Sequence, residues 1–130
     1  CFARLKNASE AYAQTENLLK KFTSYNLLNH GGVYQIYGNL GGTAGIAEML
    51  IQSHNGIIEL LPALPKQWST GTAKGLCARG GFVIDMFWQN GVLTQSYLYA
   101  TKGGTCVVQI GSKQMTINTE AGKKYSLIEK

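Results

Sequence analysis

Acidic side chains are scarce in this chain: Asp and Glu total 7 against 12 Lys and Arg. Chemistry that needs two carboxyl groups must find them among Glu10, Glu16, Glu48, Glu59, Asp85, Glu120 and Glu129. Cysteine is also sparse. Cys1, Cys77 and Cys106 are odd in number and lack CxxC spacing, which argues against a zinc module and against a full disulfide framework. No apolar run approaches the roughly 20 residues of a bilayer-spanning helix, so no membrane partner is expected. The basic residues are scattered, with KK pairs only at Lys20 and Lys123, and aromatic residues do not interleave with them. The net charge of +5 therefore reads as a solvated surface, and no nucleic-acid partner is expected.

Against these absences stands a hydrophobic content of 45% with only 15% charged residues, the composition of a globular chain able to bury a core. Its 130 residues fit one average domain or two small units. The chain opens CFARLKN without Met, so a start, tag or leader is expected to have been removed or never to have belonged to it. Cys1 invites comparison with a lipid-anchored terminus. However, Phe2 onward reads directly as helix, without the flexible tether such an anchor has.

Hydrophobic periodicity divides the chain in two. Phe2, Leu5, Ala8, Tyr12, Leu19 and Phe22 recur at helical spacing and predict an amphipathic helix over residues 2–22. The run SYNLLNHGG from Ser24 to Gly32 predicts a loop. A second helix is predicted from Gly42 or Thr43 to His54, with Thr43 as its cap and Asn55-Gly56 as its stop. After Gly56 the pattern changes to short β runs with turns at Gln89–Gly91 and Lys102–Gly104. The fold class is thus α+β: a helical segment at 1–56, then a small antiparallel β-sandwich at 57–130. Phe82, Ile84, Met86 and Trp88 alternate on one face of a strand, with Val83, Asp85 and Phe87 on the other. Phe87 suggests that the second face is covered too. The sandwich has enough apolar residues for its own core, whereas two broadly apolar helices do not, so the helices read as part of something larger.

The stretch VYQIYGNLGGTAGIAEML, Val33 to Leu50, resembles a ligand loop: a short β-like run, a glycine bend and a helix. Its glycines at 38, 41, 42 and 45 do not match GxGxxG, and no P-loop Lys follows, so nucleotide binding is not expected. The plainer reading is that they let a helix pack closely against neighbouring backbone. Hydrolysis of a glycosidic bond needs two flanking carboxyl groups, and no acid falls in this stretch before Glu48, which reads as a structural ion-pairing residue. His30 and His54 lack a neighbouring Ser or Cys nucleophile motif and read as structural hydrogen bonders. Neither a metal nor a cofactor is implied, and no catalytic residue is assigned.

YQIYGNLGGTAGIAEMLIQSHNGIIELLPALPKQW and GTAKGLCARGGFVIDMFWQNG, with ARL and AY near the start, are similar to the C-terminal part of the glycoside hydrolase family 95 α-L-fucosidases. The resemblance implies an enzyme of several hundred residues whose active site lies in an (α/α)6 barrel, with this chain supplying the last barrel helices and the closing β domain. Family members are inverting enzymes acting on terminal α-L-fucose, and those of bacteria are often periplasmic or secreted. Their general acid lies upstream. Their base is an Asp in a QIDGN stretch, matched here by Gln35, Ile36, Tyr37, Gly38 and Asn39. Tyr37 stands at the acid's position, and a phenol that titrates near pH 10 cannot replace a carboxylate in activating water. The resemblance therefore implies substrate contact at Gln35, Tyr37 and Asn39, with His30 on the preceding loop, and no base.

The expected function is that of a C-terminal fragment or truncated relative of an inverting α-L-fucosidase, inactive alone, whose fucosylated glycan is met only with an upstream barrel. Two alternatives accompany it. A non-catalytic carbohydrate-binding or structural β domain would use Trp68, Trp88, Tyr97 and Tyr99 as a stacking face. Self-association would use the exposed helices.

Overall fold

The side chain of Asn7 accepts a hydrogen bond from the backbone N–H of Glu10 at 3.1 Å, and this cap starts the first helix, α1, Ala8–Lys21. In the computed structural model, which describes residues 1–30 and 36–128, the predicted start at Phe2 is therefore too early. Lys6 has a φ of 58°, a left-handed conformation that no helix can run through, and residues 1–7 form a strap instead. After α1 the chain makes a tight loop in which Thr23 bridges Asn29 and the N–H of His30 donates to the Phe22 carbonyl at 2.9 Å.

The second helix, α2, spans Ile36–Leu50 and corrects the predicted element at both ends. It begins earlier, because the glycine-dense stretch is itself helical. Thr43 is no cap: its hydroxyl donates to the Asn39 carbonyl one turn back, at 3.0 Å. It also ends earlier, passing straight into strand β1, Ile51–Gln52. Asn55-Gly56, with Gly56 at φ 75°, turns the chain from β1 into β2, Ile57–Leu60, rather than stopping a helix. The β-like run predicted at Val33–Gln35 lies outside the described residues.

Among the described residues six further strands follow: β3 Gly71–Ala78, β4 Phe82–Gln89, β5 Val92–Ala100, β6 Gly104–Ile110, β7 Lys113–Thr119 and β8 Lys124–Ser126. They form two four-stranded sheets, ordered β1-β2-β6-β7 and β3-β4-β5-β8. Among the described residues all strand pairings are antiparallel except one. β2 lies parallel to β6, Ile57 beside Val107 through Leu60 beside Ile110, a single parallel pair within the expected antiparallel-rich sandwich. The chain crosses to the second sheet after β2 and returns with β6, and a crossover of that length is what a parallel pair requires.

The core lies between the sheets. Ile84, Met86, Leu98 and Val108 are wholly buried there, with Ile58 and Leu60 from the first sheet and Phe82 and Trp88 from the second. The alternation along β4 holds. Phe82, Ile84, Met86 and Trp88 face inward, while Phe87 on the outer face is covered by its own sheet, with Lys74 over its ring and Tyr97 edge-on. The Trp88 indole donates to the Trp68 carbonyl at 2.8 Å, and Gly71 opposite leaves room for that ring. No helix among the described residues is long and apolar enough to cross a membrane.

Candidate functional site

The stretch that carries the resemblance forms one wall of a cleft. α1 and α2 run antiparallel, with Leu18 against Gly42 and Thr15 near Met49. A cleft of about 310 Å³ opens along their contact, lined in part by Phe2, Gln14, Leu18, Tyr37 and Gly42. The glycines set this approach. A Cβ on Gly38 would lie 2.6 Å from Cγ of Asn29, and one on Gly42 would lie 2.8 Å from a Leu18 methyl. Gly41 and Gly45 face open space. Close packing is thus the role of Gly38 and Gly42 alone, and it corrects the expectation of contact with backbone, because the neighbours they admit are side chains.

The four residues implicated by sequence occupy different positions. Tyr37, in the first turn of α2, lines the cleft and is 79% exposed. Asn39 borders a smaller hollow of about 170 Å³. Its amide is engaged by the loop: Oδ1 accepts from the Asn29 N–H at 3.0 Å and Nδ2 donates to the Leu27 carbonyl at 2.5 Å. His30 is exposed at the end of that loop and lines neither hollow. Gln35 lies outside the described residues.

No carboxylate lines either hollow among the described residues. Each described acid has a structural partner instead. Glu48 accepts two bonds from the Arg4 guanidinium, at 3.0 and 3.2 Å, and this contact holds the Arg4 pKa above its ordinary value. Glu59 pairs with Lys6 at 2.7 Å, Glu16 with Lys20 at 2.7 Å and Glu120 with Lys123 at 2.8 Å. Glu10 accepts from Gln14, and Asp85 accepts from the backbone N–H of Gly75. The seventh, Glu129, lies outside the described residues. No group of three or more His, Cys, Asp or Glu residues suited to a metal ion occurs among the described residues.

The strap is what sequence reasoning missed. Arg4 and Lys6 tie it to α2 and β2, and Gln52 donates to the carbonyls of Ala3 and Glu48 at 2.8 and 2.9 Å. The available signal was the helix-breaking cap at Asn7, which leaves the preceding basic residues free to reach other elements. The aromatic residues proposed as a stacking face also separate. Trp88 is 6% exposed in the core, and Trp68 packs edge-on against Tyr12 of α1, with ring centroids 6.1 Å apart. Tyr97 is half-buried beneath Lys124, and Tyr99 is exposed.

Comparison with known proteins divides the chain almost where α2 ends. Residues 1–50 match the glycosyl hydrolase family 95 catalytic domain, and residues 52–129 match the glycoside hydrolase family 95 C-terminal domain. Among curated relatives, "Alpha-L-fucosidase 2" of Arabidopsis thaliana is 36% identical over 111 residues, covering 76% of this chain and 13% of its own length. "Probable alpha-fucosidase A" of Aspergillus oryzae (strain ATCC 42149 / RIB 40) is 28% identical over 107 residues, covering 69% of this chain and 15% of its own length. The matched region is thus a small part of these relatives' length. The helical pair, the sandwich joined directly to it and both domain matches agree: the chain belongs to glycoside hydrolase family 95.

Proposed function

We propose that this chain forms the last wall of a catalytic α/α barrel (residues 1–56) and the closing β domain (57–130) of a glycoside hydrolase directed at terminal α-L-fucose of glycans, with an inverting mechanism in the assembled enzyme. We propose further that the chain alone does not hydrolyse fucosides. The observation that carries this reading is the absence of any carboxylate from the α1–α2 cleft among the described residues, with the Tyr37 phenol at the point where the family resemblance implies an acid. Inversion requires one carboxylic acid to protonate the leaving oxygen and a carboxylate across the sugar to activate water. A neutral phenol can accept a sugar against its ring or donate one hydrogen bond, but it does not take the proton from water at neutral pH. In this reading Tyr37 faces the sugar, contact by Gln35 and His30 rests on the family resemblance alone, and Asn39 contributes by holding the loop that carries His30.

Two further features support it. The strap, the helices and the loop between them leave Leu5, Leu19, Tyr25, Leu27, Ile36 and Leu40 exposed, an apolar surface that the rest of a barrel would cover. The names of both curated relatives are those of fucosidases. A stand-alone carbohydrate-binding β domain has less behind it, because Trp88 is in the core and Trp68 is packed on α1.

The test is a chimera in which residues 1–130 replace the matching segment of an active family 95 enzyme. With Tyr37 present, fucose release should fall by at least about 100-fold, and Tyr37→Asp should restore most of it, the scale expected of a lost general base. Equal activity with Tyr and Asp would sink the proposal.

A further inference from the structure

A polar hollow of about 200 Å³ lies on the outer face of the first sheet, beneath the N-terminal strap. Its floor follows from strand register. Gln52 of β1 sits beside Glu59 of β2, and Glu59 sits beside Gln109 of β6, so three polar side chains form one row across the sheet. Their neighbours Ile51, Ile58, Leu60 and Val108 are buried in the core, which turns the row outward. Arg4 and Lys6 close the hollow from the strap, and His54 and Asn55 close it from the β1–β2 turn.

Two of these groups are built into the protein in a way that a merely solvated face does not require. Gln52 is only 4% exposed, and its amide nitrogen donates to the carbonyls of Ala3 and Glu48, which fixes the side chain and leaves its oxygen as an acceptor. Nδ1 of His54 is buried and has no hydrogen-bond partner among the described residues. Buried polar atoms are seldom left so, and a water or ligand is the usual complement.

Charge decides the kind of ligand. Arg4 is held by Glu48, and Lys6 is held by Glu59, so both cations near the hollow are already balanced. An anion would gain little from them and would meet the Glu59 carboxylate. An apolar molecule would strip the amides of water and return no bonds. The Gln52 oxygen and the amides of Asn55 and Gln109 instead offer acceptors and donors around the same space, the Gln109 nitrogen also donating to the Gly111 carbonyl at 3.1 Å, which suits hydroxyl groups that each donate and accept.

We infer that this hollow is a binding site for a neutral sugar ring. The site belongs to the β domain and the strap, and it depends neither on the helical cleft nor on hydrolysis.

The experiment follows the His54 imidazole by NMR in the full 130-residue chain while L-fucose, D-galactose or D-glucuronate is added. The neutral sugars should move the His54 resonances along a saturable curve with a millimolar dissociation constant, and glucuronate should bind more weakly. Gln109→Leu and, separately, Asn55→Ala should each weaken neutral-sugar binding about fivefold, the effect of losing one hydrogen bond, with the amide spectrum confirming the fold. Absence of any His54 shift would mean that only water fills the hollow and would overturn the inference. So would curves unchanged in both variants, or glucuronate binding as tightly as the neutral sugars.

Discussion

The β domain and the helical pair bury their apolar residues in different ways. Between the sheets, large side chains such as Ile84, Met86 and Leu98 are fully enclosed, and each is surrounded by strands from both layers. Around the helices the buried set is small: Ala3, Ala11 and Met49, with Ala63 from the segment after β2. Larger residues of α2, including Ile36, Tyr37 and Leu40, remain exposed. The helices therefore meet through small residues together with Leu18 and Met49, and several of their other bulky residues stay exposed. A closed core and an open wall have been joined in one chain, and their responses to substitution should differ accordingly.

The largest contrast comes from truncating one apolar residue in each region. Ile84→Ala should cost about 3–4 kcal/mol in urea unfolding, because the cavity it leaves is enclosed by both sheets. Leu40→Ala should change stability by less than about 0.5 kcal/mol, since its side chain is 61% exposed. A comparable loss at both sites would break the comparison.

Glycine substitutions sharpen it. Gly71→Ala places a methyl inside the volume of the Trp88 indole and should destabilise the sandwich by about 2–3 kcal/mol. Gly38→Ala should loosen the helix–loop contact by about 1–2 kcal/mol, read as faster amide exchange in α2, because the Asn29 side chain blocks the new methyl. Gly42→Ala should cost less, since the Leu18 methyl it meets can swing away. Gly41→Ala and Gly45→Ala, facing open space, should slow exchange by up to about 1 kcal/mol through helix propensity alone.

The smallest effect concerns thiols. Cys106 is buried in the sandwich, and burial pushes its pKa up to about 11, whereas Cys1 and Cys77 are exposed. A thiol-specific reagent at pH 8 should label two thiols quickly and Cys106 only on unfolding. The folded pKa is the higher one, so the unfolded thiol ionises first as pH rises. Its contribution to stability is intact below the ordinary thiol range and is lost between that range and about pH 11.

Legibility in the sequence follows the same division. The strands Phe82–Gln89 and Val92–Ala100 and the turn between them stand where alternation and Asn90-Gly91 predict, because hairpins are local and Asn90 and Gly91 adopt positive φ. The start of α2 was hidden, because four glycines lower helix propensity and only contact with α1 and the loop stabilises the helix there. The parallel β2–β6 pair was equally hidden, since pairing across some fifty residues leaves no local trace. At the candidate site, the family resemblance drew attention to Tyr37 and Asn39. The engagement of the Asn39 amide by the loop backbone could be learned only from the structure.

The most direct test of the account is the release of fucose from 2′-fucosyllactose by the purified 130-residue chain. The account predicts a rate no different from buffer alone across the neutral range, because no described carboxylate reaches the cleft. Sustained release above that background, abolished by Tyr37→Phe, would contradict it.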